Sequence, residues 1–155
     1  MELYAAICRS AAKRKSFDNI IYDYCKLTGV YHDGHKTIHQ YSFPLLPIFA
    51  DHKGFIHRGV FNSLLDFSTS LVVWAVDPQE RITVSADMFF TYLSHLEPGG
   101  SVDIMAIAER CDEKLAFTRG EIRKGQDIVC HCRQTLFFLD KKQREMLDFG
   151  ETQHR

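Results

Sequence analysis

The stretch that decides the fold runs His57-Arg58-Gly59-Val60-Phe61-Asn62-Ser63-Leu64-Leu65-Asp66-Phe67-Ser68-Thr69-Ser70-Leu71-Val72-Val73-Trp74-Ala75-Val76. No proline interrupts it and Asp77-Pro78 ends it, so the spacing predicts one helix over residues 59–76. Phe61, Leu64, Leu65, Leu71, Val72 and Ala75 form a broad apolar surface. The opposite stripe is Gly59, Asn62, Ser63, Asp66, Thr69 and Ser70, polar but almost uncharged. A solvent-facing helix stripe ordinarily carries Lys and Glu. Here Asp66 is the only charged residue from Gly59 to Val76. The helix is therefore expected to be covered on nearly all sides, by a sheet on one and a partner chain on another.

Four strands are expected downstream. Residues 81–93 alternate, with Ile82, Val84, Ala86, Met88, Phe90 and Tyr92 on one face and Ser85 on the other, pointing away from its own helix. A turn with Glu97-Pro98-Gly99-Gly100 follows, then strands at 101–111 and 114–123. Lys124-Gly125-Gln126 turns into a last strand at 127–139, with Ile128, Cys130, Cys132, Leu136 and Phe138 on one face and His131 on the other. Upstream, residues 3–14 suit a short helix, and Phe17 to Leu27 reads as a strand, or as a helix end and then a strand. Gly29 to Gly34 is a hairpin turn and residues 36–43 a strand. Pro44 and Pro47 open a loop that reaches about Ile56. Short turns join antiparallel neighbours. The class is α+β: an antiparallel sheet curled around one long helix, in a single domain over residues 1–140 with a charged tail at 141–155.

The 155 residues are 45% hydrophobic and 25% charged, the profile of a folded globule. A net charge of -1 supplies no global positive field for nucleic acid. The five cysteines (Cys8, Cys25, Cys111, Cys130, Cys132) are odd in number and irregularly spaced, and no signal peptide is evident. Free thiols in a reducing, cytoplasmic setting are expected. The basic N-terminal Arg9, Lys13, Arg14 and Lys15 admit a mitochondrial alternative. The longest apolar run, Leu71 to Val76, is far short of a membrane span. His32, His35, His39 and Cys130-His131-Cys132 do not have the spacing of a usual zinc module, so no metal is expected.

His57-Arg58-Gly59, Leu64-Leu65-Asp66, Val84-Ser85-Ala86-Asp87-Met88, Thr91-Tyr92 and Leu115-Ala116-Phe117-Thr118, in that order, resemble the small hotdog-fold acyl-CoA thioesterases. The nearest types are thioesterase superfamily member 2 (acyl-CoA thioesterase 13) and the phenylacetate-pathway enzymes. The resemblance spans about residues 5–140 and is most specific over 54–94. It implies a hotdog fold and a homodimer, or a homotetramer built as a dimer of dimers, with sites at the dimer interface. It also implies acyl-CoA as substrate and no bound cofactor. By position, His57-Arg58-Gly59 matches the turn whose backbone N–H groups face the thioester carbonyl. Asp66 matches the acid that activates water from the other subunit, and Ser85 the serine that assists it. Asp51 stands where the family has an Asn, and Arg58 where it has a Gly.

The chemistry agrees with these positions. Backbone N–H groups of Arg58 and Gly59 at a helix N-terminus are suited to stabilise an oxyanion. Desolvation makes a carboxylate a stronger base than it is in water, which suits Asp66 to activating water; direct attack through an anhydride is its second route. His57 is expected to hold the turn and Asn62 to flank the substrate. Lys114 is a contact for CoA phosphates, with Arg119, Arg123, Lys124, Lys141, Lys142 and Arg144 as further candidates. An ionised Asp51 cannot donate to the carbonyl. If Asp51 and Asp66 share one pocket, one of the two carboxyls is pushed up. Asp51 and Arg58 keep a second reading open, a non-catalytic acyl-CoA- or lipid-binding protein. A hydratase or dehydratase is the third, and it would depend on His57.

Overall fold

The structure is a computed structural model of the chain, and it describes residues 19–79 and 81–140. The expected helix at 3–14, the basic N-terminal residues, Cys8 and the tail at 141–155 lie outside the described residues. The order of elements is α1 (Asn19–Tyr24), β1 (Lys26–Asp33), β2 (Lys36–Pro44), a 3-10 turn (Pro47–Phe49), α2 (Arg58–Val76), β3 (Thr83–Tyr92), β4 (Ser101–Cys111), β5 (Leu115–Lys124) and β6 (Asp127–Phe138). The six strands form one sheet in the order β1-β2-β4-β5-β6-β3, and every pairing is antiparallel. Helix α2 carries the chain from β2 across the sheet to β3 at the far edge. Beta-4 then returns to pair with β2. This is the hotdog architecture that the sequence led us to expect.

The core lies between α2 and the inner face of the sheet. Phe61, Leu64, Leu65, Val72 and Val73 of the helix meet Tyr41, Phe43, Ile104, Ala106, Ala116, Ile122, Cys132 and Leu136, all fully or nearly fully buried. Each large aliphatic or aromatic side chain removed from water in this way contributes roughly 1.5–3 kcal/mol. Three consecutive residues, Leu71, Val72 and Val73, are buried. They span an arc of about 200° at 100° per residue, so more than half of the helix circumference is covered there. Ala75 does not belong to that surface. It is exposed, while Val76 and Asp77 beyond it are half-buried and buried. By length and composition α2 could cross a membrane, with a mean hydropathy of 1.3. In the fold it is the core helix, with Leu64, Leu65, Val72 and Val73 fully buried against the sheet.

The helix sits close to the sheet because Gly120 of β5 has no side chain. A Cβ there would stand 2.8 Å from Leu65 Cδ2, 3.0 Å from Thr69 Cγ2 and 3.2 Å from Cys132 Sγ.

Two local expectations differ from the structure. At the N-terminal segment the second of the two readings holds, a helix end (Asn19–Tyr24) and then a strand, but the strand runs over Lys26–Asp33 and takes in the expected turn. The chain turns tightly at Gly34 (φ 59°), so most of the segment expected to be turn pairs with β2 as an edge strand. The second difference is in β3. Ser85 pairs with Leu136 but Asp87 pairs with Thr135, so Ala86 is an extra residue, a β-bulge. The bulge reverses the alternation. Thr83 and Ser85 lie on the same face as Met88, Phe90 and Tyr92, opposite Phe138, Leu136, Gln134, Cys132 and Cys130 of β6.

Candidate active site

The loop before α2 is closed by its own backbone. Ala50 and Ile56 form an isolated antiparallel bridge, Asp51 N–H donates to Phe55 O (2.7 Å) and His57 N–H donates to Phe49 O (2.9 Å). The Asp51 carboxylate sits inside this turn and accepts from Lys53 N–H (2.8 Å) and Phe55 N–H (3.2 Å). The bond from the Lys53 amide, reinforced by that from Phe55, holds the Asp51 carboxyl below the usual carboxylate range. Within the chain, Asp51 is an acceptor that closes the loop.

That closure sets His57 as the N-cap of α2, in extended conformation, with Nδ1 accepting from Gly59 N–H at 3.0 Å. Val60 N–H donates to His57 O (2.9 Å). Of the two amides expected to face a carbonyl, Gly59's is taken by the His57 ring, while Arg58's has no partner among the described residues. The Arg58 guanidinium lies over the Tyr92 ring, 4.7 Å from its centroid. The Tyr92 hydroxyl donates to Asn62 Oδ1, which ties the end of β3 to the second turn of α2.

One turn farther along the helix, Asp66 meets the sheet. Ser85 Oγ donates to Asp66 Oδ1 at 2.7 Å, and Gln134 Nε2 donates to the same oxygen at 2.6 Å. Gln134 Nε2 also donates to Ser85 Oγ (2.8 Å), and Thr69 Oγ1 donates to Gln134 Oε1. The β3 bulge makes this possible. Without Ala86 as an extra residue, Ser85 would point away from the helix, as simple alternation predicts; with it, Ser85 faces its own Asp66. Gln134 and Thr69 are buried, Asp66 is half-buried and Ser85 is exposed, so the cluster is fixed from below and open on one side.

Gln134 was not among the residues singled out from the sequence. Its signal was present: it is the one polar residue in the inward-facing series Cys130, Cys132, Gln134, Leu136, Phe138. A polar side chain buried on an apolar strand face needs a partner, and Asp66 is the acid opposite.

Lys114 is not brought to this cluster within the chain. It sits in the β4–β5 turn and accepts through its carbonyl from Phe138 N–H (2.9 Å). The adjacent Glu113 carbonyl accepts from Arg81, which pairs with Asp77 at the C-terminal end of α2. Arg119 pairs with Glu109, Arg123 with Glu121, and Lys124 donates to the Gly99 and Ser101 carbonyls. The two thiols nearest the cluster are poor nucleophiles. Burial pushes Cys130 up to about 11 and Cys132 up to about 12. His131 lies on the opposite face of β6 from both. Among the described residues, no three His, Cys, Asp or Glu side chains are placed to hold a metal ion.

At the level of sequence, no protein-family profile and no curated protein matches the chain. Solved structures do match in fold. Zebrafish thioesterase superfamily member 2 superposes with a TM-score of 0.73 at 19% identity, covering 86% of this chain and 94% of that one. A phenylacetic acid degradation-related protein of Ralstonia eutropha gives 0.71 at 15% identity, over 86% and 98%. A Streptococcus mutans protein solved with acetyl-CoA bound gives 0.67 at 16% identity, over 83% and 94%. With fewer than one residue in five identical, what these likenesses establish is the architecture: the chain has the hotdog fold found in solved thioesterase superfamily structures.

Proposed function

We propose that this protein hydrolyses acyl-CoA thioesters to the free acid and CoA. The observation that carries the reading is the Asp66 carboxylate. Both of its protein donors, Ser85 and Gln134, converge on Oδ1. Oδ2 has no partner among the described residues and is left to accept a proton from water. Thioesterase-named neighbours, and one neighbour solved with acetyl-CoA, support this substrate class.

In the proposed step, Asp66 Oδ2 takes a proton from a water whose oxygen bonds to the thioester carbon. The carbonyl oxygen becomes an oxyanion at the N-terminus of α2. The Arg58 amide stabilises it, and the Gly59 amide joins when the carbonyl displaces the His57 ring. Collapse breaks the C–S bond, and the CoA sulfur leaves with the proton held by Asp66.

Geometry adds a requirement. Arg58 and Asp66 are eight residues apart on one helix, about 12 Å at 1.5 Å per residue. Reacting atoms must come within about 3–3.5 Å. That separation favours a site that takes its N-terminus from one copy and its acid from another, as the family resemblance implies, in a homodimer with two such sites. The nearly uncharged stripe of α2 and the position of β3 at the end of the sheet are compatible with it.

Thiol release from straight-chain and aryl acyl-CoAs tests the reading. Wild type is expected to turn over, and Asp66→Ala to lose about a hundredfold or more in kcat with its assembly state unchanged. Binding without turnover by wild type would instead establish the non-catalytic acyl-CoA-binding reading, which the capped Gly59 amide and the charged Asp51 favour.

A further inference from the structure

We infer that Gln134 is a positioning residue that decides which oxygen of Asp66 acts on water, and that Thr69 sets the orientation of its amide. The inference rests on the hydrolase reading above and adds to it the group that prepares the base.

The proton inventory leaves one arrangement. An ionised carboxylate only accepts, so both groups within hydrogen-bond distance of Asp66 Oδ1 must donate to it. One is Ser85 Oγ at 2.7 Å, which spends its single hydrogen there. The other is the Gln134 side chain at 2.6 Å, which must present nitrogen and not oxygen. Its second N–H is then directed at Ser85 Oγ (2.8 Å), which accepts it. The amide oxygen is consequently turned toward Thr69, whose hydroxyl donates to it. Thr69 also lies 2.5 Å from the Leu65 carbonyl, so its one hydrogen is shared between that oxygen and the amide oxygen. Reversing the amide would set an oxygen against the carboxylate and leave Ser85 without its donor.

The consequence is a carboxylate that cannot rotate freely. Oδ1 is held by two donors, one from β3 and one from β6, while the helix holds the acid's backbone. Oδ2 has no partner among the described residues. A loosely held base loses rate because it spends time out of line with the water it must deprotonate, and misplacement by about 1 Å can cost on the order of a hundredfold. Gln134 is only 2% exposed, with Thr69 fully buried beneath it, so the device is part of the core and does not depend on substrate to form.

A double-mutant cycle on the full chain, read by thiol release from acyl-CoA, tests this. Gln134→Met keeps the length of the side chain and removes both donors. Its kcat is expected to fall about tenfold to a hundredfold, with KM within about twofold. In an Asp66→Asn background the same change should cost nothing further, because the group that Gln134 positions no longer acts as a base. Losses that multiply across the two sites, or an unchanged kcat in Gln134→Met, would overturn the role. Thr69→Val removes only the orienting hydroxyl and serves if Gln134→Met does not fold: it should lower kcat about three- to tenfold at constant KM, and Thr69→Ser should restore it. Equal activity of Thr69→Val and wild type overturns the inference. Absence of wild-type turnover overturns the hydrolase reading itself and this role with it. That is a different result from an active enzyme indifferent to Gln134.

Discussion

Asp51 and Asp66 show how two carboxylates on neighbouring elements are given different work by their donors. Asp51 accepts two backbone N–H groups from its own loop and is held ionised as a turn closure. Asp66 accepts side-chain donors from two strands through one oxygen, and the other has no partner among the described residues. A third titratable residue reports on the fold rather than the site. His39 is buried on β2 with Nδ1 3.0 Å from the Tyr41 hydroxyl, and burial, the largest cause, lowers it to about 4. Its folded value is below its ordinary 6.5, so the unfolded chain binds the proton more readily. The contribution of neutral His39 to stability is therefore complete above about 6.5 and is lost as the pH falls from there toward about 4. Thermal unfolding followed across that window should show a falling midpoint in wild type and a flatter profile in His39→Gln. Parallel profiles would mean that His39 does not govern the acid limb.

At the scale of elements, the site depends on how closely α2 lies on β5 and on one extra residue in β3. Gly120 permits the first. In Gly120→Ala the new methyl meets Leu65, Thr69 and Cys132 at once. Overpacking of a tight core costs about 1–3 kcal/mol, offset by up to about 1 kcal/mol from reduced freedom of the unfolded chain. A net loss of about 1–2 kcal/mol is expected, read as a lower denaturant midpoint at constant m. Because Thr69 is one of the residues displaced, kcat should fall as well. A variant as stable and as active as wild type would show that the helix has room to move. The bulge at Ala86 is the second device. It brings Ser85 to Asp66 while Met88, Phe90 and Tyr92 stay against the helix, so one strand supplies both a polar site residue and apolar packing.

At the scale of the whole molecule, the proposed site takes its helix N-terminus from one chain and Asp66 from another. This has a quantitative consequence. Arg58→Pro removes the Arg58 N–H at the first position of the helix, where proline is well tolerated. The extended His57 (φ -63°, ψ 131°) suits a residue before proline. Arg58→Pro and Asp66→Asn should each be nearly inactive alone. Unfolded together in equal amounts and refolded, they should recover about a quarter of wild-type activity: half of the dimers are mixed, and each mixed dimer has one intact site of two. Recovery no greater than the average of the two parents would mean that each site is built within one chain.

The hydrophobic pattern by itself determined the long core helix, five of the six strands to within a residue or two, and the α+β class, because burial imposes a period that composition must obey. It also singled out Asp66, as the only charge on a stripe that has no other reason to carry one. The tertiary structure alone decided what surrounds that acid. Gln134 is 68 residues away in the chain, and its bond to Asp66 exists only once β6 lies beside β3 beneath the helix. The facing of Ser85 was hidden because a bulge adds one residue without any mark in composition, yet reverses every side chain beyond it. The capping of Gly59 by His57 was hidden for a similar reason: a helix N-terminus advertises free amides in sequence, and only the closed loop from Phe49 to His57 shows which of them is already taken.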